Sequence, residues 1–188
     1  MNRREILRYT ALVTGAAVAG PLVSSLLSGC RPETTAGAPE GALSFFNPEE
    51  FERVRQLADL ILPKTDSPSA SDVGVHTMID RMVGLVYPEK DREAYKTGFS
   101  ALTAYLDSAG FSKLDPGQKL ELLKNLELSR EEAMKTTRKA FVDLKQQTVA
   151  YYLSTEAVGT QFLNYLPVPG KYESCISLEE AGGKAWAL

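Results

Sequence analysis

Few residues of this chain have the types and spacing that chemistry needs. Its thiols are Cys30 and Cys175, and its one histidine is His76. One imidazole and two distant thiols cannot build a Cys/His zinc set. No Cys-x-x-Cys-His run offers covalent haem attachment. No Gly-x-Ser-x-Gly elbow presents a nucleophilic serine. No Gly-x-Gly-x-x-Gly fingerprint follows a strand, because no segment alternates with period two. Glu49-Glu50 and Glu131-Glu132 fall in first helical turns, where the helix dipole already accounts for them. His76 reads as a surface or capping group. No catalytic, cofactor-binding or metal-binding residue is assigned, and the chain is expected not to be an enzyme by itself.

The chemistry that remains belongs to the two thiols. Arg3, Arg4 and Arg8 precede an apolar stretch, Tyr9 to Leu27, which Thr, Gly, Ser and Pro21 dilute. Leu27-Ser28-Gly29-Cys30 closes it. A basic start, an apolar middle and small residues at the end describe a secretory signal, residues 1–29. The last four residues resemble a lipobox, in which Cys30 receives a diacylglyceryl thioether before cleavage. Each buried CH₂ adds roughly 0.8 kcal/mol and one chain holds only marginally, so two or three chains on Cys30 would anchor the protein to a bilayer. Asn2-Arg3-Arg4-Glu5-Ile6-Leu7 resembles the twin-arginine export motif, whose cargo crosses folded. A retained membrane-spanning segment and an ordinary signal ending in an unmodified cysteine are the alternatives. An exported, membrane-anchored lipoprotein on the periplasmic side is the expectation. Lipidation of Cys30 leaves Cys175 as an odd thiol in an oxidising compartment, which points to an interchain disulfide or a reactive free thiol. A quiet buried thiol is the competing reading.

Composition agrees with one soluble domain behind that address. Of 188 residues, 44% are hydrophobic and 24% charged, with a formal net charge of −3. The first 29 residues carry three of the basic groups and one acid, so the remainder is acidic, with 18 basic and 23 acidic side chains. Without a basic run it is a poor match for phosphate backbones, and nucleic acid drops out as a partner. Residues 30–44, rich in Pro, Gly, Thr and Ala, read as a flexible tether.

From residue 45 to 188 the apolar spacing is helical. Asn47-Pro48-Glu49-Glu50 has the cap residues of a helix start, followed by Phe51, Val54, Leu57, Ala58 and Ile61 and stopped by Pro63. Val75, Met78, Ile79, Met82, Val83 and Val86 form the stripe of a second helix. Tyr95, Phe99, Leu102 and Leu106 form a third within residues 90–109, closed by Gly110. Asp115-Pro116-Gly117-Gln118 starts a fourth, with Leu120, Leu123 and Leu126. A fifth runs over about residues 130–153 through Thr137, Phe141, Leu144, Thr148 and Tyr151 or Tyr152. The fold class is therefore all-α, a single compact domain of about five helices. Its tail is irregular, because Pro167, Pro169 and Gly170 forbid a helix among large apolar groups. Phe162, Leu163, Tyr165, Leu166 and Tyr172 on this proline-fixed path are the expected partner interface.

Leu60-Ile61-Leu62-Pro63-Lys64-Thr65-Asp66-Ser67-Pro68, the pair Thr155-Glu156 after Tyr152, and the stretch from Tyr165 through Val168-Pro169-Gly170-Lys171-Tyr172 to Cys175 resemble the gluconate 2-dehydrogenase subunit 3 family. The resemblance extends over about residues 45–188. It implies a small subunit without a cofactor of its own, beside a large FAD-dependent flavoprotein of the glucose-methanol-choline type that oxidises sugars or polyols. It also implies that the small subunit's signal escorts the large one across the membrane, and that a cytochrome c subunit is a further partner. Two positions depart from the family pattern. Ser69 stands where glycine is expected, and His76 where proline often opens the next helix. The runner-up from another class is a free-standing, membrane-tethered binding or scaffold lipoprotein.

Overall fold

The computed structural model describes residues 42–187 apart from 167, 169 and 171–174. Arg3, Arg4, Cys30 and Tyr172 lie outside the described residues. Six α-helices follow one another: α1 (Pro48–Ile61), α2 (Val75–Arg81), α3 (Glu89–Ser108), α4 (Pro116–Leu128), α5 (Lys135–Leu153) and α6 (Glu156–Gln161). Among the described residues there is no strand, only an isolated bridge between Asn164 and Trp186. The domain is all-α, as its spacing predicts.

Local sequence sets where the helices start and stop. At α1 the Asn47 side chain accepts from the Glu50 amide at 2.9 Å, while the Glu50 carboxylate accepts from the Asn47 amide at 3.0 Å. Asp115 and Gln118 repeat the reciprocal pair at α4, and each helix has proline at its first position. Gly110, at φ 67°, ends α3 in the left-handed region where glycine carries no Cβ penalty.

α5 is the hub, since it packs against each of the other five helices. Its Thr137, Phe141, Leu144, Thr148 and Tyr152 are buried, and they meet Val54, Leu57 and Ala58 of α1, Phe99, Leu102 and Leu106 of α3, and Leu123 and Leu126 of α4 in one core. Gly98 of α3 faces Ala140 of α5 so closely that an added Cβ would lie 3.2 Å from the alanine's.

Three departures from the sequence expectation have local causes. A sixth helix, α6, follows Thr155; only six residues long, it falls below what periodicity can register. α5 begins at Lys135 after a 3₁₀ turn over Glu132–Met134, so residues 130–134 are not its first turn. The third lies at the end of α2, which continues through Val86 as a π-helical turn, with the Tyr87 amide donating to the Met82 carbonyl at 3.1 Å. Widening the turn rotates the following residues relative to the α-helical stripe. Val83 stays buried, whereas Leu85 and Val86 are 65% and 62% exposed.

The Leu62–Ala70 loop owes its shape to hydrogen bonds at both ends. The Ala70 amide donates to the Leu62 carbonyl at 3.1 Å, and the Ser71 amide to Asp59 at 2.8 Å. From α5 the Tyr152 hydroxyl donates to the Pro68 carbonyl at 2.7 Å. Ser69 has a task that glycine could not perform: its hydroxyl accepts from the Asp72 amide at 3.2 Å while Asp72 accepts from the Ser69 amide at 3.1 Å. In this chain the loop motif serves architecture, tying α1, α2 and α5 together.

Candidate partner-binding surface

The tail is built outward from the end of α6. Phe162 and Leu163 are half-buried and pack on the domain's own core. Asn164 then acts as a clamp. Its amide donates to the Ala185 carbonyl at 2.8 Å, its carbonyl accepts from the Ala187 amide at 2.9 Å, and its side-chain Nδ2 donates to the carbonyls of Ala181 (2.5 Å) and Lys184 (3.0 Å). The C-terminal stretch is thereby held beside residues 163–165. A turn over residues 177–183 precedes it, in which Ser177 and Glu180 cap each other's amides and Gly182 and Gly183 take positive φ.

Beyond the clamp the apolar groups face outward. Tyr165 is 57% exposed, Leu166 52% and Trp186 52%, with Val168 more exposed still. Of the five interface residues named from sequence, the structure therefore divides four. Phe162 and Leu163 lean on the core, while Tyr165 and Leu166 are presented to solvent. Exposed aromatic and aliphatic groups on a backbone already held in place are what interface centres favour, because little ordering entropy remains to be lost on binding. Trp186 joins them, and only the fold shows it next to Asn164, twenty-two residues away in the chain. Cys175 is exposed and makes no disulfide among the described residues.

Between α3 and α5 the polar side chains pair with one another. A groove of about 400 Å³ runs between α3 and α5, with Tyr87, Tyr95 and Phe99 at its base and Asp91, Lys139 and Asp143 along its edge. Tyr95 donates to Gln147 at 3.0 Å, and Gln147 donates to the Tyr87 hydroxyl at 2.8 Å. Burial pushes the Tyr95 phenol well above its usual range. Lys139 is paired with Asp143. No cluster of three or more metal-ligating side chains occurs among the described residues.

His76, the second residue of α2, packs against Phe51 with ring centroids 5.0 Å apart and the rings tilted by 53°, and its Nδ1 is buried without a hydrogen-bond partner among the described residues. Burial and then the Arg55 guanidinium hold the imidazole below its ordinary 6.5, with Asp59 and Glu52 opposing. A depressed folded-state pKa means that the unfolded chain takes up the proton first, so stability present above 6.5 is lost as pH falls towards the folded value. The melting temperature is expected to fall more steeply below about pH 6.5 in wild type than in His76→Phe. Parallel melting-temperature profiles would show that the imidazole contributes nothing.

No helix among the described residues is long and apolar enough to cross a membrane. The family model described as gluconate 2-dehydrogenase subunit 3 matches residues 48–170, which takes in all six helices and the first part of the tail and stops short of Cys175 and Trp186. No curated protein and no solved structure matches the chain.

Proposed function

This chain belongs to the gluconate 2-dehydrogenase subunit 3 family, and from that premise we propose that it is the non-catalytic small subunit and export escort of a periplasmic, membrane-associated FAD-dependent sugar or polyol dehydrogenase. Membership makes it a subunit that associates with others of a gluconate dehydrogenase complex. The observation that carries the finer reading is the presentation of Tyr165 and Leu166 to solvent beyond the Asn164 clamp. FAD belongs to the large subunit in this reading, and a cytochrome c subunit is the further partner. Arg3 and Arg4 address the pair for export, and Cys30 carries the lipid.

Co-purification from native membranes tests the complex. A stable interface of ordinary size buries roughly 1,600 Å² in total, with a few aromatic anchors dominating. Tyr165→Ala with Leu166→Ala is therefore expected to reduce recovery of the flavoprotein at least about tenfold, a loss of 1.4 kcal/mol or more. The isolated domain's melting temperature should change little, since both residues are already more than half exposed. Full recovery alongside a lower melting temperature would instead make the tail part of the core. If purified wild type brings no flavoprotein at all, a free-standing tethered scaffold is the reading that survives. Cys175, exposed, is expected to bridge to the large subunit: a non-reducing gel should show a heterodimer band that reductant or Cys175→Ser abolishes. Titration of Cys175 as a free thiol in the intact complex would reject the bridge.

Lipidation has a separate readout. Cys30→Ala is expected to leave an uncleaved precursor that takes up no fatty-acid analogue, and labelling that survives the substitution would refute the anchor.

A further inference from the structure

One residue of the Tyr152, Thr155-Glu156 motif is not used by the fold. Tyr152 and Thr155 are spent inside the domain, the first on the Pro68 carbonyl and the second on the Tyr152 carbonyl. Glu156 is exposed, and its carboxylate makes neither a hydrogen bond nor an ion pair among the described residues. It lines a pocket of about 310 Å³ where the end of α5 meets α6, to which the tail contributes Tyr165 and Ala187.

The polar chemistry of this pocket is one-sided. Its three hydroxyls belong to Ser154, Thr155 and Thr160. They donate to the carbonyls of Tyr151, Tyr152 and Glu156 at 2.9, 2.8 and 2.7 Å. A carbonyl only accepts, so all three protons are committed and the oxygens offer lone pairs alone. The Glu156 carboxylate is likewise an acceptor. Among the described residues no lysine, arginine or histidine joins the lining, and Lys184 instead donates to the Gln161 carbonyl at 3.3 Å. The side chains therefore present acceptors and one negative charge next to an aromatic ring.

We propose that this pocket takes an arginine side chain of the large subunit, with the guanidinium on Glu156 and against the Tyr165 ring. The inference rests on the reading of Tyr165 and Leu166 as the partner surface, with which the pocket is continuous because Tyr165 belongs to both. A guanidinium carries five donors and no acceptor, which complements hydroxyls that can only accept. It forks onto a carboxylate through two parallel bonds and stacks on aromatic faces, as an ammonium does not. The volume lies at the lower end for small-molecule sites and suits one long side chain. Arginine and tyrosine are also the residues that dominate interface centres. A carboxylate in the first turn of α6 steadies that helix through its dipole as well, a role that would show in melting rather than in partner binding.

The test compares recovery of the flavoprotein from native membranes, in reductant, by wild type, Glu156→Gln, Glu156→Asp and Tyr165→Ala with Leu166→Ala. Glu156→Gln keeps the shape and removes the charge. It is expected to lower recovery at least about tenfold, as loss of one partner of a hydrogen-bonded interfacial charge pair does. Glu156→Asp, which keeps the charge on a shorter arm, should fall between. The melting temperature of the purified small subunit should not change in either. Arginine amide should release the flavoprotein from wild type more readily than lysine amide at equal concentration and ionic strength. Wild-type recovery by Glu156→Gln, with the Tyr165 and Leu166 variant still depleted, would overturn this inference and leave the partner surface standing. Equal release by the two amides would overturn the guanidinium assignment. Lower recovery matched by lower melting in Glu156→Gln would overturn it too, making the carboxylate a support of α6. Full recovery by every variant, or none by wild type, would reject the partner surface itself and the inference with it.

Discussion

Asp80→Ala is expected to lower the melting temperature of the domain by about 10 °C. The substitution removes the acceptor of three backbone amides at once. An amide left without a partner in a buried place costs about 1–3 kcal/mol. Only Phe46 is fully buried; Ser44 and Phe45 are half-buried and can recover part of their loss from water. The sum is therefore about 3 kcal/mol, and at roughly 3 °C per kcal/mol for a domain of this size the shift follows. Asp80→Asn should cost less, because one oxygen still accepts, although its NH₂ then points at donors. Gly84→Ala should resemble the alanine variant by another route, since the methyl group has no space beside Ser44 unless the incoming chain lifts away. Amide exchange at Phe46 should quicken in both variants while the α5 core stays protected. Melting of Asp80→Ala within a degree or two of wild type would mean that the three bonds are replaceable by water and that this clamp on the incoming chain contributes little.

That clamp is also the part of the fold the sequence hides best. Helix starts are readable where a side chain caps its own chain three residues on, as at Asn47 and Asp115, because donor and acceptor are neighbours. The stripes of α1, α3 and α5 are readable because burial repeats with the helix period. Asp80 breaks no period. It sits beside the buried Ile79, and its partners lie 34 to 36 residues away, where the stretch read as tether gives way to the domain. A lone acid inside the apolar run from Val73 to Val86, with Phe45-Phe46 unassigned upstream, was the available signal. Likewise the period that predicts burial of Val83 also predicts burial of Val86, and only the π-helical turn separates them. In the candidate interface, Tyr165 and Leu166 are legible because prolines follow them. Trp186 is not, because its place depends on four hydrogen bonds to Asn164 across the turn of residues 177–183. Burial of Phe162 and Leu163 against the core depends in the same way on α6, a helix too short to leave a stripe.

Arg3→Lys combined with Arg4→Lys is expected to leave both the small subunit and its flavoprotein in the cytoplasm, an all-or-none change in location. The pair lies outside the described residues, so the expectation rests on sequence chemistry and on the subunit role. Lysine keeps the positive charge of the first eight residues and so preserves whatever a general secretory signal reads there. What it removes is the planar guanidinium, whose fixed fork of donors an ammonium cannot reproduce. Charge-preserving substitution therefore separates recognition of paired arginines from a mere requirement for charge. An escorted partner has no address of its own, and so it should stop wherever its escort stops. Flavin absorbance and dye-linked sugar oxidation are then expected to move entirely to the cytosolic fraction if, as the proposed route implies, the large subunit crosses folded with its cofactor in place. Wild-type export of the small subunit despite both lysines would make the signal a general one. If the small subunit stays in the cytoplasm while the flavoprotein still reaches the periplasm, the two proteins travel separately, and their association through Tyr165 and Leu166 must form after export.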